Sequence, residues 1–220
     1  MQCIKDTIKN INIVIGCNIG CSYCYARMNN NRFHTIDDFN KPVFFENKLK
    51  MLDNKRHTAY LLTGQSDLSG WNEEWKDKVF SKMKENENTQ YIFLTKRPEN
   101  INLKETPDNG WFGVTVTSSK EKTRIDYLRN NIKAKHYQIT FEPMFDDVGK
   151  LDLNNISWIV IGTETGNRKG KISSKREWVF NIYNQAKEKN IPVFMKEDLL
   201  GILNEDEFVQ EFPKEFGEIK

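Results

Sequence analysis

Cys17, Cys21 and Cys24 put three thiols on one short loop, in a C-x3-C-x2-C spacing that directly follows the apolar run 11–15. Soft thiolates gathered this way suit an iron–sulfur cluster or zinc. A closed structural site wants four ligands, and no fourth cysteine lies nearby, so a cubane cluster held here would keep one iron open to a small molecule. A zinc site completed by His34 or His57 is the competing reading, because imidazole is a common zinc ligand. A disulfide framework would call for an even cysteine count in a short secreted chain. Cys3 precedes the first strand and reads as a bystander.

The elements that must carry this loop are legible as short apolar runs: 11–15, 59–63, 91–95, 111–117, 137–141, 158–162 and 191–195. They are almost continuously apolar rather than alternating, which is the pattern of parallel strands buried on both faces under helices. Amphipathic segments lie between them. Trp75, Val79, Phe80 and Met83 share a face after Asn72. Ser118 with Glu121, and Ser174 with Glu177, have capping-box spacing ahead of further helices. Repeated βα order predicts an α/β fold, a partial or complete (βα) barrel, and the absence of a linker rich in Pro, Gly or Ser predicts a single domain over 1–220. Residues 204–216 read as a capped short helix closing that domain.

With 33 Lys and Arg against 31 Asp and Glu, the net charge of +2 argues for no particular partner, although a local groove could still be basic. No charged start followed by an apolar core and no run of about 18–20 apolar residues is present, so a cytoplasmic protein without membrane attachment is expected. Clustered free thiols agree with a reducing compartment.

In an α/β barrel the chemistry sits where strands end. Those ends carry Gly64, Gln65, Ser66 and Asp67, then Lys96, then Thr115 and Thr117, then Glu142, then Glu164, then Lys196. Loops are polar for solvation alone, but two Glu and two Lys converging on one mouth with a cysteine loop favour a site.

The C-x3-C-x2-C spacing, with the aromatic Tyr23 just before the last Cys, resembles the radical S-adenosylmethionine (SAM) superfamily. Gly16-Cys17, Cys24-Tyr25-Ala26, Ser66-Asp67, the stretches 94–99, 113–116, 141–144 and 158–166, and Pro192 to Lys196 resemble more closely a phage- and mobile-element-associated three-cysteine family, DUF5131. The cysteine loop departs from that family, in which a longer insertion separates the first two Cys. The resemblance implies a radical SAM-type barrel with a [4Fe–4S] cluster on Cys17, Cys21 and Cys24. SAM would be cleaved there by one electron to a 5′-deoxyadenosyl radical that abstracts hydrogen from a substrate. It further implies Tyr23 near the adenine, Gly64, Gln65 and Ser66 near the SAM amino group, Thr115 or Thr117 near the ribose, and Arg124 on the carboxylate. Asp67, Lys96, Glu142, Glu164 and Lys196 are left for substrate orientation or proton transfer. The expected partners are a small-molecule or nucleotide-like substrate, a reducing donor such as flavodoxin or ferredoxin, and a protein that an open mouth could admit. Nucleic acid is an alternative substrate, motivated by Lys96, Arg97, the stretches 120–124 and 168–171, and Trp71 and Trp111 as stacking surfaces. A non-catalytic iron–sulfur or zinc module is the third reading.

Overall fold

The computed structural model of the chain describes residues 2–53 and 59–217. A short helix α1 (Ile4–Thr7) enters β1 (Ile8–Asn10). The apolar run expected to be one strand then divides. Only Val14–Ile15, β2, is extended, and it pairs antiparallel with β3 (Val43–Phe44) in a small separate ladder. The chain turns at Ile11, where the Ile13 N–H donates to the Ile11 carbonyl, and the residues that join the main sheet lie before the turn rather than after it. Between β2 and β3 come the cysteine loop and α2 (Tyr25–Phe33).

The remaining strands match the apolar runs: β4 (Ala59–Leu61), β5 (Gln90–Thr95), β6 (Gly110–Thr115), β7 (His136–Phe141), β8 (Ile156–Ile161) and β9 (Val193–Met195). The main sheet runs β1-β4-β5-β6-β7-β8-β9, and every neighbouring pair is parallel. β1 and β9 are its two edges, so the curled sheet is a half-barrel of α/β class. Helices follow alternate strands only: α3 (Glu73–Lys84), α4 (Thr123–Asn131) and α5 (Arg176–Glu188). The expected unbroken βα alternation fails at 96–109, which carries Pro98 and Pro107, and at 142–155, which carries Pro143 and Gly149. Pro98 opens a single 3-10 turn, Pro98–Asn100, a position that tolerates proline, and the chain on either side of Pro107 and Pro143 is irregular.

Strand residues alternate between two cores. Tyr91, Phe93, Phe112, Val114, Ile159 and Ile161 pack against α3, α4 and α5. Ile92, Trp111, Trp158, Val160 and Phe194 face the other way, where Phe212 and Phe216 of the C-terminal segment cover them. Trp111 and Trp158 are fully buried, and each indole N–H has a partner, Gln90 Oε1 at 2.9 Å and the Glu211 carbonyl at 3.0 Å. Truncating either would cost roughly 3–5 kcal/mol. The closing segment is two turns of 3-10 helix, Glu205–Glu207 and Lys214–Phe216, rather than one helix, and Asn204 with Glu207 forms the capping box at the first. Among the described residues no helix is long and apolar enough to cross a membrane.

Candidate functional site

The cysteine loop is pinned at the C-terminal edge of the sheet. The Gly16 N–H donates to the Gln65 carbonyl at 3.0 Å, and the Cys17 N–H donates to the Phe39 carbonyl at 2.6 Å. Gly16 has φ of 114°, and an added Cβ would lie 2.9 Å from Pro42 Cα, so the turn into the loop demands glycine. Cys24 is the N-cap of α2, with its sulfur accepting from the Arg27 N–H at 3.4 Å. The Arg27 guanidinium reaches back to the Cys17 carbonyl at 2.8 Å and lies 5.0 Å from the Phe39 ring centroid, which ties helix, loop and β3 approach together.

All four cysteines are free thiols of intermediate exposure. Burial pushes the Cys17 thiol up to about 11, and negative charge on Asp67, Cys21 and Cys24 acts in the same direction. Among the described residues no group of three or more His, Cys, Asp and Glu side chains forms a preformed metal site. In kind, the donors match those an iron–sulfur cluster takes: three thiols outside any disulfide, on a loop held at both ends. Cys3 stands apart, donating to Glu197 Oε1 at 3.0 Å. Of the histidines that could complete a zinc site, His34 is the left-handed C-cap of α2, and His57 lies outside the described residues.

Tyr23 and Tyr25 connect this loop to the strand ends. The Tyr25 hydroxyl donates to the Gly64 carbonyl at 2.6 Å. Tyr25 leaves 51% of its surface exposed, but loss of water around its hydroxyl, with the negative charges of Cys24 and Glu142, raises its pKa. Tyr23 lies edge-on to Phe145 at 5.4 Å, and Lys96 Nζ sits 5.8 Å from its ring centroid. Burial raises the Tyr23 phenol as well, reinforced by the charge of Cys21 and a hydrogen bond to it. The Tyr23 side chain therefore lies across the mouth between the ends of β5 and β7.

The strand-end residues fall into four separate groups, the last of them around Asp67. In the first, Glu121 Oε2 accepts from the Thr117 N–H at 2.7 Å, from the Thr117 hydroxyl at 2.6 Å and from Arg124 at 2.8 Å. Arg124 also donates to the Thr115 carbonyl at 2.8 Å. Glu121 thus does not cap Ser118 as its spacing suggested; it ties the end of β6 to α4. Thr115 and Thr117 are both buried.

In the second, Lys196 at the end of β9 is clasped by Glu142 and by Asp198, the latter at 3.3 Å. Burial works against the ammonium charge, but the two carboxylates win and hold its pKa above the ordinary lysine value. Burial pushes the Asp198 carboxyl up against the pull of Lys196. Gly162 leaves room for this trio: a Cβ there would stand 3.1 Å from Lys196 Cδ and 3.2 Å from both Asp198 Oδ1 and Glu142 Cδ.

In the third, Glu164 pairs with Arg168 Nε at 2.5 Å and Nη2 at 2.8 Å, and accepts from the Ile172 N–H at 3.3 Å. The Arg168 hydrogen bonds hold its carboxyl below the usual range. Glu142 and Glu164 therefore do not share a cation. Each has its own cation, because the loop after β8 folds back and supplies Arg168 from four residues on. Ser174, expected to cap α5, instead bonds the Thr163 hydroxyl at 3.0 Å inside the fold.

Asp67 is buried and saturated. Its carboxylate accepts from the Ser69 N–H at 3.0 Å, the Ser69 hydroxyl at 2.7 Å, the Thr95 hydroxyl at 2.6 Å and the Lys96 N–H at 2.8 Å. It fixes the loops after β4 and β5 to each other. Trp71 donates to the Ser66 hydroxyl at 3.0 Å and is buried, as is Trp111, so neither is free to stack on a base. Arg168 is likewise spent on Glu164. Tyr25, Glu121, Asp198 and Gly162 were missed as site residues; only Tyr25, next to Cys24, and Asp198, two residues past a strand-end lysine, had a visible signal.

A half-barrel of parallel strands with a three-thiol loop on the C-terminal edge of the sheet is the class of protein that this fold and site define. The family model described as "Protein of unknown function (DUF5131)" matches residues 2–218, and the chain belongs to that family. A stretch of 98 residues is 35% identical to Lipase 1 of Staphylococcus aureus strain Mu50 and, equally, of strain N315. That match covers 44% of this chain, and the chain spans only 14% of the lipase. No solved structure matches the chain.

Proposed function

We propose that this protein is a radical SAM-type enzyme whose Cys17, Cys21 and Cys24 hold a [4Fe–4S] cluster with one iron open to SAM. The observation that supports the reading is a loop carrying three free thiols that is tied to the turn after β4, through Gly16 to the Gln65 carbonyl and through Tyr25 to the Gly64 carbonyl. When bound, the cluster would supply one electron to the sulfonium of SAM, giving methionine and a 5′-deoxyadenosyl radical that takes hydrogen from the substrate.

The chain's own residues would bind, orient and exclude water. Gly64, Gln65 and Ser66 would meet the SAM amino group, and Tyr25 braces that turn through the Gly64 carbonyl. Arg124 keeps its carboxylate-binding chemistry, but Glu121 and the Thr115 carbonyl already hold one side of its guanidinium, so it is aimed rather than free. Thr115 and Thr117 would support the ribose side through the same network. Lys196 between two carboxylates stays protonated at neutral pH, which suits orientation of a polar substrate and not proton abstraction. Tyr23 and Lys96 would wall the mouth between β5 and β7. A hydrolase reading drawn from the lipase similarity has weaker footing. His136 begins β7, stacked on Trp111 with centroids 4.3 Å apart, and His34 caps α2, so neither of the described histidines sits at a strand's C-terminal end.

Anaerobic purification followed by iron, sulfide and zinc analysis tests the proposal: about four irons and four sulfides per chain are expected. Cys17→Ala, Cys21→Ala and Cys24→Ala should each abolish them, and Cys3→Ala should not. Stoichiometric zinc without iron would overturn it.

A further inference from the structure

Beside the cysteine loop, a cavity of about 400 Å³ opens between the ends of β5 and β6 and the first turns of α4. Its wall holds four cations, Lys96, Arg97, Lys120 and Arg124, against the carboxylates of Glu99 and Glu121. Glu121 is occupied by Thr117 and Arg124. Among the described residues, Lys96, Arg97 and Lys120 enter no ion pair. Like charges drawn together on a concave wall repel one another, and an anionic ligand would relieve the repulsion. Guanidinium and ammonium groups together are the chemistry that recognises phosphate.

Two further features narrow the ligand. Tyr127 stands one turn beyond Arg124 on α4, lines the same cavity and leaves 45% of its surface exposed, which offers a ring face to a base. Ile19 of the cysteine loop forms part of the wall, so a ligand held here would touch the loop. The volume falls within the roughly 300–1,000 Å³ of small-molecule sites.

We propose that this cavity binds a nucleotide, with Arg97 and Lys120 on its phosphate and Tyr127 against its base. This names a substrate class for the reaction proposed above and rests on that reading for its catalytic meaning, but binding requires no cluster and is measured without one. The test is calorimetric titration of the purified chain with the four ribonucleoside 5′-monophosphates, their nucleosides and inorganic phosphate. At least one monophosphate should saturate the protein, with its nucleoside about tenfold or more weaker. Arg97→Ala and Lys120→Ala should each weaken the monophosphate about fivefold or more with thermal stability unchanged, since both side chains lie at the surface of the cavity. Tyr127→Ala should weaken the nucleotide and leave inorganic phosphate unaffected. Nucleosides binding as tightly as nucleotides, or no saturation by any monophosphate at about 5 mM, would overturn the proposal. Tighter binding of a single-stranded oligonucleotide, with a steep salt dependence, would overturn it in favour of a strand-binding groove.

Discussion

Asp67 offers the sharpest separation of a positioning role from a chemical one. Its carboxylate takes four hydrogen bonds, two of them from backbone N–H groups of Ser69 and Lys96 in different loops. In Asp67→Asn one of the two oxygens becomes an NH2 group. If that group faces Lys96, the Lys96 N–H loses its acceptor; if it faces the other way, the Ser69 N–H does. The Thr95 hydroxyl cannot turn freely to compensate, because it already accepts from the Arg97 N–H at 3.0 Å. One orphaned buried donor costs about 1–3 kcal/mol, and the surviving bonds lose their charge assistance, so a total of roughly 2–4 kcal/mol is expected. At about 2–4 °C per kcal/mol for a chain of this size, the melting temperature should fall by roughly 5–15 °C. Differential scanning calorimetry of the two proteins measures this, with chemical denaturation as a second readout. An Asp67→Asn protein that melts within about 1 °C of the parent while losing all turnover would refute the reasoning and restore Asp67 as a catalytic group.

Three further outcomes follow from the strand-end clusters. Gly162→Ala should destabilise by roughly 1–2 kcal/mol net, the overpacking of Lys196, Asp198 and Glu142 outweighing the entropic gain of alanine, as read by urea titration. The Glu142–Lys196 pair should show a coupling of about 1–3 kcal/mol in a double-mutant cycle with Glu142→Gln and Lys196→Met. Because the folded pKa of Lys196 is raised, its contribution is fully present below the unfolded lysine value of about 10.4 and is lost only as pH rises beyond it. Glu164 has the opposite sign: its folded pKa is lowered, so its contribution holds above the unfolded value of about 4.3 and disappears as pH falls. Glu164→Gln should therefore lose less stability than the parent between neutral pH and acid, measured by denaturant titrations at each pH.

The parallel sheet was legible because strands such as 158–161 and 111–114 are apolar on both faces, which no surface strand tolerates. The division of 11–15 was not, since the alternative partner, Val43–Phe44, lies far along the chain and has no distinctive pattern of its own. The cysteine loop could be read locally from spacing. The charged network could not, because position at a strand end fixes where a side chain starts and not which partner it takes. Glu142 takes Lys196 from the end of β9, whereas Glu164 is captured by Arg168 from a loop whose path depends on the turns at Gly166 and Gly170. Glu121 shows the same limit: capping-box spacing places a carboxylate near the start of a helix, but the buried Thr117 hydroxyl and the Arg124 guanidinium are stronger partners than an exposed backbone N–H. The polar strand ends thus divide between structural ties, as at Asp67, Glu164 and Lys196, and groups left lining the open cavity, as at Lys96 and Arg97.

Reductive cleavage of SAM by the anaerobically reconstituted protein bears most directly on the proposed function. With a strong one-electron reductant, the protein should release 5′-deoxyadenosine and methionine in equal amounts, and Cys21→Ala should release neither. A fully iron-loaded protein that yields no 5′-deoxyadenosine, and whose reduced electron paramagnetic resonance spectrum is unchanged by SAM, would contradict the account.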